Sequence, residues 1–212
     1  MKYTLQQIDE SLIDDHYYIE EDDECFFFGE YAGKQGYSFS ETNQLIFNFK
    51  KPMSAKGKPG WTYKSKAIQT IAEILLSCTA WNSLKQYTWI PIPPSKVRTD
   101  SEHDDRLISV LKKLQIEEQS LDFRDILLTQ KNRNPAHDPA TQTRPTIQEL
   151  FNNFDIANSL LLPKPRAIAI FDDVLNTGAS FKAAKQKLCN AFPDVPIRGI
   201  FIARNIHIQI ED

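Results

Sequence analysis

The segment AIAIFDDVLNTGASFKAAKQKL, residues 167–188, constrains the fold of this chain more than any other segment. Its first five residues are apolar and lead directly into Asp172 and Asp173, which is the pattern of a buried strand followed by polar groups. A Thr-Gly-Ala-Ser turn comes next, and the apolar residues after it have helical spacing. The segment therefore predicts a strand at residues 168–171, a tight turn, and a helix at residues 179–192.

The rest of the chain alternates between the same two kinds of element. Strands are predicted at CFFFGE, at the start of YTWIPIPPSKVR and at IRGIFIAR, and helices at about residues 63–76 and 104–114. SETNQLIFNFK suits either a helix or a strand, and a helix with Ser40 as its N-cap is favoured. This alternation predicts an α/β fold with a mainly parallel central sheet flanked by helices.

The length and composition of the chain favour one domain with embellishments. A chain of 212 residues with 41% hydrophobic and 11% aromatic content can bury a sizeable core. The pattern is clearest after residue 60, so residues 1–60 are interpreted as an N-terminal extension and residues 61–212 as the core. Within the extension, the acid run Glu20 to Glu24 is interpreted as a solvated turn.

Charge and cysteine content exclude several classes of protein. A net charge of -3 gives no electrostatic case for general nucleic-acid binding. Three widely separated cysteines form neither a disulfide framework nor a zinc knuckle, which suits a reducing compartment. The sequence has no apolar signal core and no run of about 20 apolar residues. We therefore expect a cytoplasmic protein without a membrane partner. His16 and His207 are expected to be structural or surface residues.

The turn after the acid pair has the chemistry of a phosphate site. Residues at a helix N-terminus have free backbone N–H groups, and the helix dipole favours an anion there. Gly178 permits a tight turn, and the hydroxyls of Thr177 and Ser180 add donors, so Thr177, Gly178, Ala179 and Ser180 are predicted to hold a phosphate. The glycine spacing fits neither a P-loop nor a dinucleotide fingerprint. The alternative is an ordinary strand-to-helix turn capped by Asp and Ser.

The acid pair limits which phosphate compound suits this turn. Two carboxylates repel a neighbouring phosphate unless they face hydroxyl groups or a hard cation. Asp172 and Asp173 therefore suit a sugar diol with Mg²⁺ nearby. A phosphate, a diol and a metal together describe a ribose 5-phosphate.

AIAIFDDVLNTGAS resembles the fingerprint of the type I phosphoribosyltransferases, in which an apolar run, two acids and two apolar residues precede a Thr-Gly turn that ends in Thr or Ser. The resemblance implies a type I phosphoribosyltransferase-like α/β fold with a variable N-terminal hood. It implies that Asp172 and Asp173 hold the ribose 2- and 3-hydroxyls of phosphoribosyl pyrophosphate (PRPP), and that residues 177–180 hold its 5-phosphate. Mg²⁺ is carried by PRPP near the two acids, without a ligand set supplied by the protein alone.

The order of motifs is similar to the ComF-like branch of that family, over about residues 86–205. WIPIPPSKVR, NRNPAHDPATQTRP, the fingerprint and IFIAR occur in the branch's order. The resemblance implies that Ser95, Lys96 and Arg98 bind pyrophosphate; a solvated basic turn is the alternative. The chain departs from the branch at SEHDDRL. Three interpretations stay open there: the loop binds something else, His103, Asp104 and Arg106 form a variant site, or Asp104 or Asp105 caps a helix. The branch's N-terminal zinc-binding cysteine module is absent from this sequence.

The resemblance implies an enzyme of pentosyl transfer in nucleotide metabolism, in which a nitrogen nucleophile displaces pyrophosphate from C1 of PRPP. Lys96 and Arg98 would stabilise the leaving group, and the acid pair would favour the cationic ring. The long polar loop at residues 129–146 would close over the site, with Arg133, His137 or Arg144 reaching the phosphates; a surface excursion is the alternative.

The alternative function is a non-catalytic module that senses PRPP or a nucleotide, or an accessory factor in DNA uptake or a stress response. Asn176 stands where hypoxanthine-guanine salvage enzymes have a proton-transferring Asp, and Asn does not titrate, which weighs against purine salvage. The acceptor stays open. A homodimer is one open arrangement, since the sequence does not determine the oligomeric state.

Overall fold

The computed structural model describes residues 3–133 and 144–207, and its centre is a five-stranded sheet. Its strands are β1 (Gln6–Gln7), β2 (Cys25–Tyr31), β3 (Thr88–Pro91), β6 (Ile168–Leu175) and β7 (Ile197–Asn205). They lie in the order β1-β2-β7-β6-β3, and all neighbours are parallel except β1, which pairs antiparallel with β2. Two further strands, β4 (Leu127–Thr129) and β5 (Phe154–Ile156), form a separate antiparallel pair.

Six helices accompany the sheets in the described ranges. They are α1 (Glu41–Phe49), α2 (Thr62–Ser77), α3 (Trp81–Leu84), α4 (Arg106–Glu117), α5 (Ile147–Asn153) and α6 (Ala179–Ala191). α1, α2 and α4 pack successively against one another, and α5 packs on α6. The side chain of Ser40 accepts a hydrogen bond from the backbone N–H of Asn43, which confirms the predicted helix and its N-cap.

The core lies on both sides of the parallel strands. Residues 168–171 of β6 are fully buried, as expected for a parallel strand with both faces covered. Trp89 of β3 packs edge-on against Phe171, with ring centroids 5.5 Å apart, and Phe181 of α6 packs against Phe201 of β7 at 6.1 Å. The predicted α/β class, with a mostly parallel sheet flanked by helices, is confirmed.

The structure corrects the position of the acid pair. The sequence placed Asp172 and Asp173 just after the end of a strand at residues 168–171, but β6 continues through both acids to Leu175. The reason is the register: β3 ends at Pro91 opposite Phe171, whereas β7 goes on pairing with β6 up to Leu175 and Arg204. The acids therefore lie beyond the end of β3 while β7 still supports their backbone.

The first 60 residues contribute to the same sheet. β2 pairs in parallel with β7 over seven residues, from Cys25 opposite Gly199 to Tyr31 opposite Asn205. The division into an N-terminal extension and a core stays a prediction. Across residues 3–133 and 144–207, no helix combines the length and the apolar character needed to cross a membrane.

Candidate functional site

A cavity of about 470 Å³ opens at the carboxyl ends of β3 and β6. This is the position that ligands take in parallel α/β sheets, and the volume is within the usual range for small-molecule sites. The cavity brings together most of the residues that the sequence predicted for the site: Ser95, Lys96, Arg133, Arg144, Asp172, Asp173, Thr177, Gly178, Ala179 and Ser180. His137 lies outside the described residues.

The turn between β6 and α6 has the geometry of an anion site. Gly178 has φ 87° and ψ -3°, a left-handed conformation that favours glycine, and α6 begins at the next residue. No side chain caps the helix at this position. The N–H groups of the first helical turn therefore remain available to a ligand in the cavity that residues 177–181 line.

Asp173 is held by two cations. Its Oδ1 lies 2.9 Å from Nζ of Lys50, and its Oδ2 accepts hydrogen bonds from Nη2 and Nε of Arg106 at 2.6 and 3.0 Å. Burial by itself would raise the pKa of Asp173, but Lys50 and Arg106 outweigh it and hold that pKa well below the usual range. Asp173 is thus a buried carboxylate whose two oxygens already have partners.

Asp172 differs from Asp173 in its exposure, its partners and its pKa. It is half-buried, and its Oδ1 accepts a hydrogen bond from the N–H of Asp173 at 2.8 Å. Burial raises the pKa of Asp172 to about 7, and the negative charge of Asp173 acts in the same direction. In the part of the chain that the structure describes, Asp172 makes no ion pair. It is the carboxylate of the pair that remains available to a ligand.

The SEHDDRL stretch contributes contacts to the site. Asp105 is at the N-cap position of α4, but its side chain makes no capping hydrogen bond, so capping by a carboxylate was the wrong alternative. Oδ2 of Asp104 instead accepts from Arg106 and from Lys64, both at 2.8 Å. His103 donates from Nδ1 to the backbone carbonyl of Lys96 at 2.9 Å. These contacts favour the variant-site interpretation.

The basic loop divides into residues that line the cavity and one that pairs beside it. Ser95 and Lys96 line the cavity, whereas Arg98 forms an ion pair with Asp125 and its side chain is 58% exposed. The carbonyl of Ser95 accepts from the N–H of Arg133 at 3.0 Å. Lys96 is therefore the better placed of the two predicted leaving-group cations.

Arg133 and Arg144 lie on either side of residues 134–143, which are outside the described residues, and both line the cavity. Burial lowers the pKa of the Arg133 guanidinium, while the charge of Asp172 opposes that shift. The Nε of Arg133 is buried and has no hydrogen-bond partner in residues 3–133 and 144–207. Arg144 donates from Nη1 to Oδ1 of Asn176 at 3.0 Å. Both therefore add positive charge beside the turn and Asp172.

Three residues that contact this site were not identified from the sequence. Lys50 follows the last residue of α1, and nothing in its spacing pointed to Asp173. Lys64, on the buried side of α2, pairs with Asp104 and donates to the carbonyls of Phe49 and Lys51 at 2.7 and 2.9 Å. His16, for which the sequence left a structural and a surface role open, is fully buried and contacts the turn through the carbonyl of Asn176.

The acid run at residues 20–24 is only partly a solvated turn. Carboxylate oxygens of Glu20, Asp22 and Asp23 lie within 4.8 Å of one another, as in many exposed acidic groups without a metal. Asp23 is buried, and its oxygens accept from Lys182 at 2.8 Å and Lys185 at 2.5 Å. The predicted solvation was therefore wrong at Asp23, which connects the N-terminal segment to α6.

The assembled site can hold a ligand that has an anionic group and neighbouring hydroxyls. The turn offers N–H donors for the anion, Asp172 offers a hydrogen-bond acceptor, and Lys96, Arg133 and Arg144 supply positive charge. A scan against protein-family models finds no match to this chain, and a search of curated proteins also finds none.

Proposed function

We propose that this protein binds PRPP and transfers its ribose 5-phosphate group to a nitrogen nucleophile, as the type I phosphoribosyltransferases do. The observation that carries the proposal is the convergence of the Gly178 turn and Asp172 in one cavity at the carboxyl end of β6. The turn suits the 5-phosphate, and Asp172 in its ionised form suits the ribose diol.

The two acids have different tasks in this proposal. Asp172 accepts hydrogen bonds from the ribose hydroxyls, since it has no ion pair among the described residues. Asp173 fixes Lys50 and Arg106 at the cavity wall, because its oxygens are bonded to both. The fingerprint resemblance implies that both acids hold the ribose diol. Because the oxygens of Asp173 are bonded to Lys50 and Arg106, we assign the diol chiefly to Asp172.

The residues fit an associated magnesium ion in part. Mg²⁺ takes oxygen ligands and usually keeps several waters, binding through one or two carboxylates together with substrate phosphates. Asp172 is a carboxylate of that kind, whereas Asp173 is occupied by cations. Asp172 would therefore face a Mg²⁺ ion that enters with PRPP, and the ion would neutralise charge on the pyrophosphate.

The transfer needs no covalent intermediate with the protein. The nitrogen lone pair forms a bond to C1 of the ribose, and the bond from C1 to the pyrophosphate oxygen breaks, so that pyrophosphate leaves with the electron pair. A nucleophile that carries an N–H then releases that proton to water or to the departing pyrophosphate. Positive charge develops on the ring in such a displacement. Ionised Asp172 beside the ring and Lys96 beside the pyrophosphate would both stabilise that charge distribution.

A binding module that senses PRPP without transferring it is the second candidate. The observation that favours it is the pair between Arg98 and Asp125, which leaves Lys96 as the cavity-lining cation of the basic loop. A loop with one cation available for the pyrophosphate stabilises its departure less than a loop with two. The two candidates share the PRPP site and differ only in chemistry.

Pyrophosphate release separates the two candidates. Protein is incubated with PRPP, Mg²⁺ and a panel of nucleobases and ammonia. We expect release with at least one acceptor, and Lys96→Ala should slow it by about 100-fold or more, the usual effect of losing one electrostatic stabiliser. Lys112→Ala, an exposed position on α4, is the matched control and should leave release unchanged. PRPP binding without release with any acceptor would support the sensor and contradict the transferase.

A further inference from the structure

A short N-terminal segment, residues 16–19, lies directly behind the phosphate-binding turn. His16 donates from Nδ1 to the carbonyl of Asn176 at 2.5 Å, and the N–H of Tyr18 donates to the carbonyl of Thr177 at 2.8 Å. Ile19 fills the space beside Gly178, where an added Cβ would meet its Cδ1 at 2.6 Å. These three contacts hold the backbone of the turn, and they come from residues that are not part of the cavity lining.

The contact of His16 defines which tautomer its neutral ring adopts. A carbonyl only accepts, so Nδ1 carries the proton, and Nε2 of the neutral ring has a lone pair. Nε2 is buried, and no partner for it occurs in the described ranges. A second proton would place a charged N–H there without an acceptor.

The charged groups around His16 act in both directions. Arg204 and His207 disfavour a charge on His16, whereas Asp15 favours one. Arg204 already pairs with Asp15 at 2.7 Å and with Glu30 at 2.5 Å, so its positive charge is fixed close to the ring. Burial is the largest influence and lowers the pKa of His16, although the hydrogen bond to Asn176 partly opposes it.

We propose that neutral His16 is a positioning residue for the phosphate-binding turn: its Nδ1–H holds the carbonyl of Asn176 and thereby directs the N–H groups of residues 177–180 into the cavity. This inference rests on the proposed function in one respect, namely that the turn binds a phosphate. Protonation displaces the ring, because a buried imidazolium lacks a partner for Nε2. The turn then loses its support and its preformed anion site.

The pH dependence has a definite sign. A histidine whose pKa is lower in the folded protein than the ordinary value of about 6.5 stabilises the fold above that value. The contribution falls as the pH drops below about 6.5 and is lost as the pH falls through the folded-state pKa. Protection of the turn should therefore decrease between pH 7 and pH 5.

Hydrogen exchange tests the inference without depending on a ligand. Exchange of residues 176–181, corrected for the intrinsic pH dependence, is measured in wild type, His16→Ala and His16→Asn, with His207→Asn as the matched exposed control. Asn keeps an amide donor near the position of Nδ1 and does not titrate. We expect about tenfold faster exchange in His16→Ala, since a buried carbonyl loses its donor, and near wild-type exchange in His16→Asn. Only wild type and His207→Asn should lose protection of the turn between pH 7 and pH 5.

Titration with ribose 5-phosphate separates this inference from the proposed function. Affinity about tenfold weaker in His16→Ala than in wild type, recovered in His16→Asn, supports both. A turn that loosens in His16→Ala while wild type binds no ribose 5-phosphate supports the positioning role and contradicts the proposed function. Equal exchange and equal affinity in wild type and His16→Ala overturn the positioning role. If His16→Ala does not fold, protection of the turn below pH 6.5 is compared between wild type and His16→Asn. An equal loss of protection in the two proteins would overturn the positioning role.

Discussion

Asp172 and Asp173 are identical residues at adjacent positions, yet their surroundings give them opposite electrostatic states. Lys50 and Arg106 stabilise the ionised form of Asp173, whereas burial and the charge of Asp173 disfavour ionisation of Asp172. One carboxylate is therefore a structural anchor, and its neighbour is near its titration point at neutral pH. Under the proposed function, Asp173 therefore contributes to stability and Asp172 to ligand binding.

The structural role of Asp173 is tested by Asp173→Asn. The substitution leaves Lys50 and Arg106 without their shared counter-charge, so we expect the free energy of unfolding to fall by about 3 kcal/mol. This is the lower end for a buried pair, because the side chains of Lys50 and Arg106 remain 23% exposed. Chemical denaturation at pH 7.5 measures the change. A loss below about 0.5 kcal/mol would contradict the anchor role.

Asp172→Asn is the matched control, and its effect depends on pH. A carboxyl group with a folded-state pKa of about 7 destabilises the fold increasingly as the pH rises from about 4 to 7, because the unfolded chain ionises first. Removing that carboxyl should leave stability nearly unchanged at pH 3 and raise it by about 1 kcal/mol or more at pH 8. A pH-independent effect would show that the pKa of Asp172 is not raised.

At the scale of elements, the turn between β6 and α6 is supported by residues 16–23, which are far away in sequence. The turn has φ 87° at Gly178, and Ile19 occupies the space that a side chain would need. The same N-terminal segment is tied to α6 through Asp23 and its two lysines. The turn at Gly178 is therefore held between β6, α6 and residues 16–23.

Gly178→Ala tests this arrangement. The added Cβ would meet Cδ1 and Cγ1 of Ile19 at 2.6 and 2.8 Å, and alanine strains the left-handed backbone, so we expect a loss of about 1–3 kcal/mol in stability. Adding Ile19→Ala removes the steric part but not the backbone strain. The double mutant should therefore be more stable than the sum of the two single effects predicts, as measured in a denaturation cycle. Strictly additive effects would show that Ile19 and Gly178 do not interact.

At the scale of the whole molecule, local patterns predicted the elements well and their contacts poorly. The run at residues 167–171 and the Gly178 turn identified β6 and α6, because burial and turn conformation depend on neighbouring residues. The end of β6 was misjudged, because it depends on how far β7 continues to pair. Ser40 was predicted correctly as an N-cap, since the capping bond reaches only to Asn43.

The contacts that complete the site come from distant parts of the chain. Lys50 and Arg106 meet at Asp173 across 123 and 67 positions of sequence, and His16 meets Asn176 across 160. Hydrophobic periodicity contains no information on such pairings. The turn and the acid pair could be predicted, but the neighbours that set their charge states could not.

Isothermal titration of PRPP with Mg²⁺ tests the central claim most directly. Wild type, Asp172→Asn and the exposed control Asp155→Asn are compared at pH 7.5, each after a denaturation curve has established that it is folded. Asp172→Asn loses charged hydrogen bonds worth about 1.5–3 kcal/mol each, so its affinity should fall at least about tenfold and up to about a hundredfold, while Asp155→Asn binds like wild type. No binding heat in folded wild type, or equal affinity in wild type and Asp172→Asn, would contradict the assignment of this cavity to PRPP.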